Sequence, residues 1–225
     1  MQNAAVTNSL ADRLIDLGGI SPDRVLSDPP PGQATLVDLI RVNEVEGRLC
    51  ELVDGTLVEK AMGWEESLLA SAIGHFLMSF LDENDLGVVT GSDGFSRLYG
   101  EVVRGPDVAF ISWDRLPDGK IPRGQPIPDL VPDFVVEVLS ISNTRAEMAR
   151  KRREYFQAGV RLIWMVDPRR RTVAVYEAPE RFFVADEEAT LDGGKVLPGW
   201  SVDLATLFGR LDRQRPESGS DTESV

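Results

Sequence analysis

Cysteine and histidine are nearly missing from this chain, since Cys50 and His75 each stand alone among its 225 residues. A single thiol cannot close an internal disulfide, and one imidazole without a cysteine cluster cannot build a zinc site, so His75, beside an apolar helical stripe, reads as structural. No apolar run approaches the ~18 residues that cross a bilayer, which excludes a membrane segment. Met1 to Leu17 lacks the cationic start and continuous apolar stretch of a secretory signal, so a reducing cytoplasm is the expected compartment. Neither Gly119-Lys120-Ile121 nor Gly194-Lys195-Val196 supplies the Ser or Thr that a P-loop needs after its lysine, and no Gly-x-Ser-x-Gly elbow occurs. Cations are scarce as well. With 24 Lys and Arg against 37 Asp and Glu the net charge is −13, which opposes long-range attraction of a polyanion.

What is present fits an ordinary domain with modest extensions, at 42% hydrophobic and 27% charged residues. Charge is unevenly spread. Between Ser140 and Arg171 nine cations face three anions, a local +6 that leaves −19 on the remainder. Because charges are screened over about 8 Å at physiological salt, a phosphate at this segment would feel mainly its cations.

Residues Asn8 to Leu17 predict a short helix, and Ser27-Asp28-Pro29-Pro30-Pro31-Gly32 a linker that separates it from a compact unit starting near Thr35. The expected division is 1–34 for helix and linker, 35–210 for the domain, and 211–225 for a disordered polar tail. Cys50–Val53 and Thr56–Glu59 around Asp54-Gly55 predict a β-hairpin. From Glu65 to Asn84, Leu68, Leu69, Ala72, Ile73, Phe76, Leu77 and Phe80 recur at helical spacing, and Gly87 ends the helix they predict. Strand-like pieces lie near Val88–Thr90, Phe95–Leu98 and Val108–Ile111, followed by a Pro/Gly-rich loop from Leu116 to Pro132. Phe134 to Leu139 is too apolar for a half-exposed strand and reads as a central one buried on both faces. Thr144-Arg145-Ala146-Glu147 is a capping box opening a helix to Ala158, with Gly159 as its stop. Leu162–Val166 and Thr172–Tyr176 are further strands, and Leu204 to Phe208 a closing helix.

Glu137 is the most informative residue, because an unpaired carboxylate amid Phe134, Val135, Val136, Val138 and Leu139 costs several kcal/mol. It needs a cation: an arginine such as Arg104, or a metal ion. Asp107, in Pro106-Asp107-Val108-Ala109-Phe110, enters another apolar strand, and neighbouring strands would bring the two carboxylates together; in isolation it is also an ordinary turn aspartate. On the Thr144–Ala158 helix, Lys151 fills the inward slot between Met148 and Tyr155, whereas Arg150 and Arg153 should point away. Lys151 would then reach toward Glu137, or else snorkel to water. Glu51 reads as a solvent-facing hairpin residue, and Arg150 to Arg153 as a solvated face.

In these residues the chain resembles the Uma-two family of restriction endonucleases, a domain of unknown function within the PD-(D/E)XK nuclease superfamily. The resemblance runs from about Glu51 to Phe208 and is carried by Glu51-Leu52-Val53-Asp54-Gly55, Pro106 to Phe110, Pro132 to Ser140, Lys151 to Tyr155, Ala158-Gly159-Val160, Trp164 to Pro168 and Leu197-Pro198-Gly199-Trp200. It implies an α/β (mixed α+β) restriction-endonuclease-like core, with a central mixed sheet flanked by helices and an N-terminal β-hairpin. Asp107 and Glu137 would be the metal-binding pair, joined by the backbone carbonyl of Val138, and Lys151 the superfamily lysine. In the standard pattern that lysine lies two residues after the glutamate; here Leu139 does, so the role would have moved to the helix. A histidine usual at the start of the long helix is replaced by Trp64-Glu65-Glu66-Ser67, where Glu66 is a substitute ligand to consider. The implied function is Mg2+-dependent (or Mn2+-dependent) hydrolysis of nucleic acid, DNA more than RNA, by a chain that pairs as a homodimer. A scaffold that keeps the fold without the chemistry, and a hydrolase of smaller phosphate esters, are the alternatives.

Overall fold

The computed structural model describes residues 9–214. Its organising element is a six-stranded mixed sheet in the order β10-β9-β8-β7-β6-β3. These strands are β3 (Gly87–Thr90), β6 (Val108–Ser112), β7 (Phe134–Val138), β8 (Leu162–Asp167), β9 (Thr172–Ala178) and β10 (Arg181–Asp186). Only β7 and β8 run parallel. Parallel neighbours need a crossover, supplied here by helix α4 (Arg145–Ala158). The capping box expected at Thr144 and Glu147 is formed, and Gly159 ends the helix at φ 107°, a left-handed conformation that a side chain would strain. As the apolar run implied, every residue of β7 is buried.

Alternation along β7 gives the sheet two unlike faces. Phe134, Val136 and Val138 point to a core formed with α3 (Trp64–Glu83), α5 (Leu204–Phe208) and the β11 (Thr190–Gly193)–β12 (Leu197–Asp203) hairpin. Trp164 stacks on Trp200 there at 5.1 Å between ring centroids, with Phe134 edge-on to both. Val135 points to α4, packed with Ala109, Met148, Tyr155, Ile163 and Met165. Glu137, two residues along, shares that face.

The hairpin β1 (Cys50–Val53) and β2 (Thr56–Glu59) forms in the expected register. It belongs to a second, four-stranded antiparallel sheet, β2-β1-β5-β4, with β4 (Ser96–Tyr99) and β5 (Val102–Arg104). The strand expected near Phe95–Leu98 therefore lies outside the central sheet, while β5 and β10 to β12 had no clear sequence signal. A short helix α2 (Leu36–Ile40) precedes β1, with Leu39 buried.

The proline run does not hold the N-terminal helix α1 (Leu10–Asp16) apart from the domain. The amides of Gly32 and Ala34 donate to the Gly55 carbonyl at 2.7 and 2.8 Å, and Leu17 and Ile20 pack on Val53 and Val58. Arg24 clamps Glu147 through two hydrogen bonds of 3.1 and 2.8 Å, tying this segment to the start of α4. The expected tail beyond Gln214 lies outside the described residues. No described helix is long and apolar enough to cross a membrane.

Candidate active site

Asp107 and Glu137 reach the same place from adjacent strands. Val108 pairs with Val136 in the β6–β7 ladder, and the Asp107 amide extends it by donating to the Val136 carbonyl at 2.9 Å. Asp107 thereby stands across from Glu137 at the next step of the ladder, on the face that α4 covers. Its Oδ2 accepts from the Val138 amide at 2.8 Å. The contact that Val138 makes with the pair is thus through its N–H.

Lys151 comes down from α4, and it does not snorkel. It is 4% exposed, and its Nζ lies 3.2 and 3.1 Å from the two oxygens of Glu137 and 3.0 Å from Glu51 Oε1. Tyr155, one turn on, donates its hydroxyl to Glu137 Oε1 at 2.6 Å. The anticipated Arg104–Glu137 pair is absent among the described residues. Arg104 is instead held by Glu51 at 2.6 Å and by Glu154, whose Oε2 lies 2.8 Å from Arg104 Nε.

Glu51 corrects the sequence reading. It is 1% exposed rather than facing solvent, because β1 sits inside its sheet and turns this side chain toward α4. Both Glu51 oxygens are engaged, one by Lys151 and the Gly105 amide, the other by Arg104. Lys60, just past β2, was not foreseen at all. Its Nζ donates to Asp107 Oδ1 at 3.2 Å and to the Ser92 carbonyl at 2.8 Å. Alternation after Glu51 and Val58 would have marked Lys60 as inward-facing, but its partner is 47 residues away.

Other expectations separate. Glu66 stands in the first turn of α3, its carboxylate folded back toward Gly63. His75 is exposed and alone. The cationic run is not a uniform solvated face: Lys151 is buried, Arg150 is tied to Glu154 and Asp54, Arg152 stacks 4.6 Å over Tyr176, and Arg153 is exposed.

This centre is an interlocked network of opposite charges. Four carboxylates (Glu51, Asp107, Glu137, Glu154) meet four cations (Lys60, Arg104, Lys151 and, on Glu154, Arg150). Burial, with the charges of Asp107 and Glu51, holds the Glu137 carboxyl above its ordinary range even against Lys151. For Glu51 burial pulls upward too, but Lys151, Arg104 and Lys60 outweigh it and bring the carboxyl down to about 2. Burial opposes the Lys151 ammonium, yet Glu137 and Glu51 keep it firmly charged. Among the described residues no group of three or more His, Cys, Asp or Glu side chains is disposed as a ready metal cage.

A mixed sheet flanked by helices, with an acidic residue on each of two neighbouring strands and a lysine on each carboxylate, is the architecture expected of a restriction-endonuclease-like core. A family model described as "Uma2: Putative restriction endonuclease" matches residues 37–205, and the chain belongs to that family. Among solved structures it is similar to one described as "a putative nuclease belonging to DUF820" from Anabaena variabilis ATCC 29413. That likeness has a TM-score of 0.64 and 21% identity over 72% of this chain and 90% of the other. No curated protein matches the chain.

Proposed function

We propose that this protein is a magnesium-dependent nuclease that hydrolyses phosphodiester bonds of nucleic acid, DNA in preference to RNA. The observation that carries this reading is the buried juxtaposition of Asp107 and Glu137 on neighbouring strands, with the Lys151 amine about 3.1 Å from Glu137.

The donor set fits a hard divalent cation. Magnesium binds through one or two carboxylates and keeps several waters, which the Asp107–Glu137 pair on rigid neighbouring strands matches. Asp107, Glu137 and the carbonyl of Val138 would hold it. Once bound, it would polarise a phosphoryl oxygen and make an attached water more acidic. Lys151, kept charged and pinned between Glu51 and Glu137, would stabilise negative charge developing on the phosphate. Tyr155 and Lys60 fix the orientation of the two carboxylates through one hydrogen bond each. The reaction adds water across one P–O bond, giving a phosphate monoester and a hydroxyl, with no covalent enzyme intermediate.

One observation favours the rival reading of a non-catalytic scaffold: Glu137 and Asp107 are both already satisfied by lysine, tyrosine and amide donors, as in a closed structural network. A thermal-shift titration separates the two. Magnesium or manganese should stabilise the wild type by about 2.7 kcal/mol at a hundredfold excess over Kd and leave Glu137→Gln unmoved. Equal shifts in both proteins would favour the scaffold. Cleavage of labelled DNA and RNA with either metal should be abolished in Asp107→Ala/Glu137→Ala, and full activity there would refute the assignment.

A further inference from the structure

A second concavity adjoins the acidic centre. A cleft of about 690 Å3 opens between α4 and strands β8 to β10, on the sheet face that carries Glu137. Its volume is ample for a nucleotide, within the ~300–1,000 Å3 of ligand pockets. It lies at the carboxyl ends of the parallel pair β7 and β8, where open α/β sheets receive ligands. Leu139, two residues beyond Glu137 on β7, and Met148, one turn before Lys151 on α4, line it. The cleft and the carboxylate pair thus share a wall.

Its chemistry is of two kinds. Leu139, Met148, Met165 and Tyr176 are its apolar lining residues, and Arg145, Arg152, Arg169 and Arg170 are four arginines among the rest, in a protein of net charge −13. The one carboxylate in the lining, Asp167, is occupied by the amides of Arg169 and Arg170 at 3.1 and 3.0 Å and by the Arg170 side chain. Arg152 lies over one side of the Tyr176 ring; its Nη2 is 3.8 Å from the exposed Glu180 carboxylate, while its buried Nε donates to nothing among the described residues. Phe182 stacks on Tyr176 at 4.8 Å between centroids, yet is 53% exposed. The stack ends in an aromatic ring presented to solvent, with Arg152 on the far side of Tyr176.

We propose that this cleft receives the backbone of a single-stranded segment, its phosphates meeting the arginines while one unpaired base stacks on Phe182, which stands next to the cleft's Tyr176. This rests on the nuclease reading and narrows it to substrates with an unpaired stretch near the scissile bond. Aromatic platforms within a cationic groove bind single strands because every base has a π-face to stack, each base contributing a substantial share of affinity. A duplex turns its base faces inward and offers this cleft only phosphates. An acidic protein surface would satisfy the arginines, but would leave the exposed Phe182 ring without a flat partner.

The test is fluorescence anisotropy in EDTA with a labelled single-stranded DNA dodecamer and a duplex of the same length. The single strand should bind more tightly. Phe182→Ala should weaken it about fivefold to a hundredfold, while duplex binding stays within about twofold. Arg152→Met should also weaken the single strand and reduce its salt slope by about one. Circular dichroism melting confirms that each variant is folded. Equal affinity for both DNAs, or unchanged single-strand affinity in Phe182→Ala, overturns the proposal. So does a sedimentation result in which Phe182→Ala turns a dimer into a monomer with affinity unaltered, which assigns this edge to a second copy. Single-strand binding that depends on Phe182 without metal-dependent cleavage supports the cleft and sinks the nuclease reading. Metal-dependent cleavage indifferent to Phe182 does the reverse.

Discussion

The two faces of the central sheet solve the problem of burial in opposite ways. On one, Phe134, Trp164 and Trp200 stack with Leu69, Ile73 and Phe208 in an apolar core. On the other, charged Glu51, Asp107, Glu137, Lys151, Arg104 and Glu154 are as inaccessible as those aromatics, at 6% exposure or less. An apolar core stabilises in proportion to area and tolerates substitution of like volume. A buried ionic network is weak evidence for stability, because desolvation offsets most of the attraction, and it fails sharply when one partner is removed. The aromatic face supplies the packing that folds the sheet, and the ionic face carries the charges on which the proposed chemistry depends.

The largest effects should test that division directly. Trp164→Ala on the apolar face and Lys151→Met on the ionic face should each cost about 3–5 kcal/mol in urea unfolding, the first by opening a cavity, the second by leaving Glu51 and Glu137 without their shared cation. Only Lys151→Met should also lower cleavage, by about a hundredfold or more, in protein that remains folded. If both variants retained activity, the ionic face would be structural like the other.

Next in size is the response to acid. Glu51 has its carboxyl lowered from an ordinary 4.5 to about 2, so its contribution is present above about pH 4.5 and lost as pH falls toward 2. That is roughly 3 kcal/mol of stability at stake. Urea titrations across this range should show a flatter decline in Glu51→Gln than in the wild type, and parallel curves would remove Glu51 from the network. Smallest of all should be Glu137→Gln. Because burial already penalises the charge on this carboxyl and Lys151 keeps Glu51 as a counter-ion, a neutral isostere should cost less than Lys151→Met, about 1–2 kcal/mol, although the metal response is lost. A loss as large as that of Lys151→Met would mean that Glu137 acts as an obligatory counter-ion.

Much of this was legible in the chain. The Asp-Gly turn marked the β1–β2 hairpin, the period of α3 marked its buried side, and Thr144, Glu147 and Gly159 marked both ends of α4, because caps and turns are decided by residues a few positions apart. The unbroken apolar run around Glu137 located the central strand and its anomalous charge, and Lys151 was placed inward by its slot between Met148 and Tyr155. Strands β10 to β12 were not legible. Arg181, Phe182, Phe183 and Val184 are all exposed, so β10 lacks the alternation that announces a strand.

By itself, then, the sequence determined the local elements and the residues that would need partners, since both follow from propensity, period and the cost of burying a charge. The tertiary structure decided who those partners are. It turned Glu51 inward, brought Lys60 to Asp107 across 47 residues, gave Arg104 to Glu51 and Glu154 rather than to Glu137, and set an arginine-lined cleft against the carboxylates. Ion pairing acts over a few ångströms between side chains far apart in sequence, and only the packing of two sheets around α4 creates those distances.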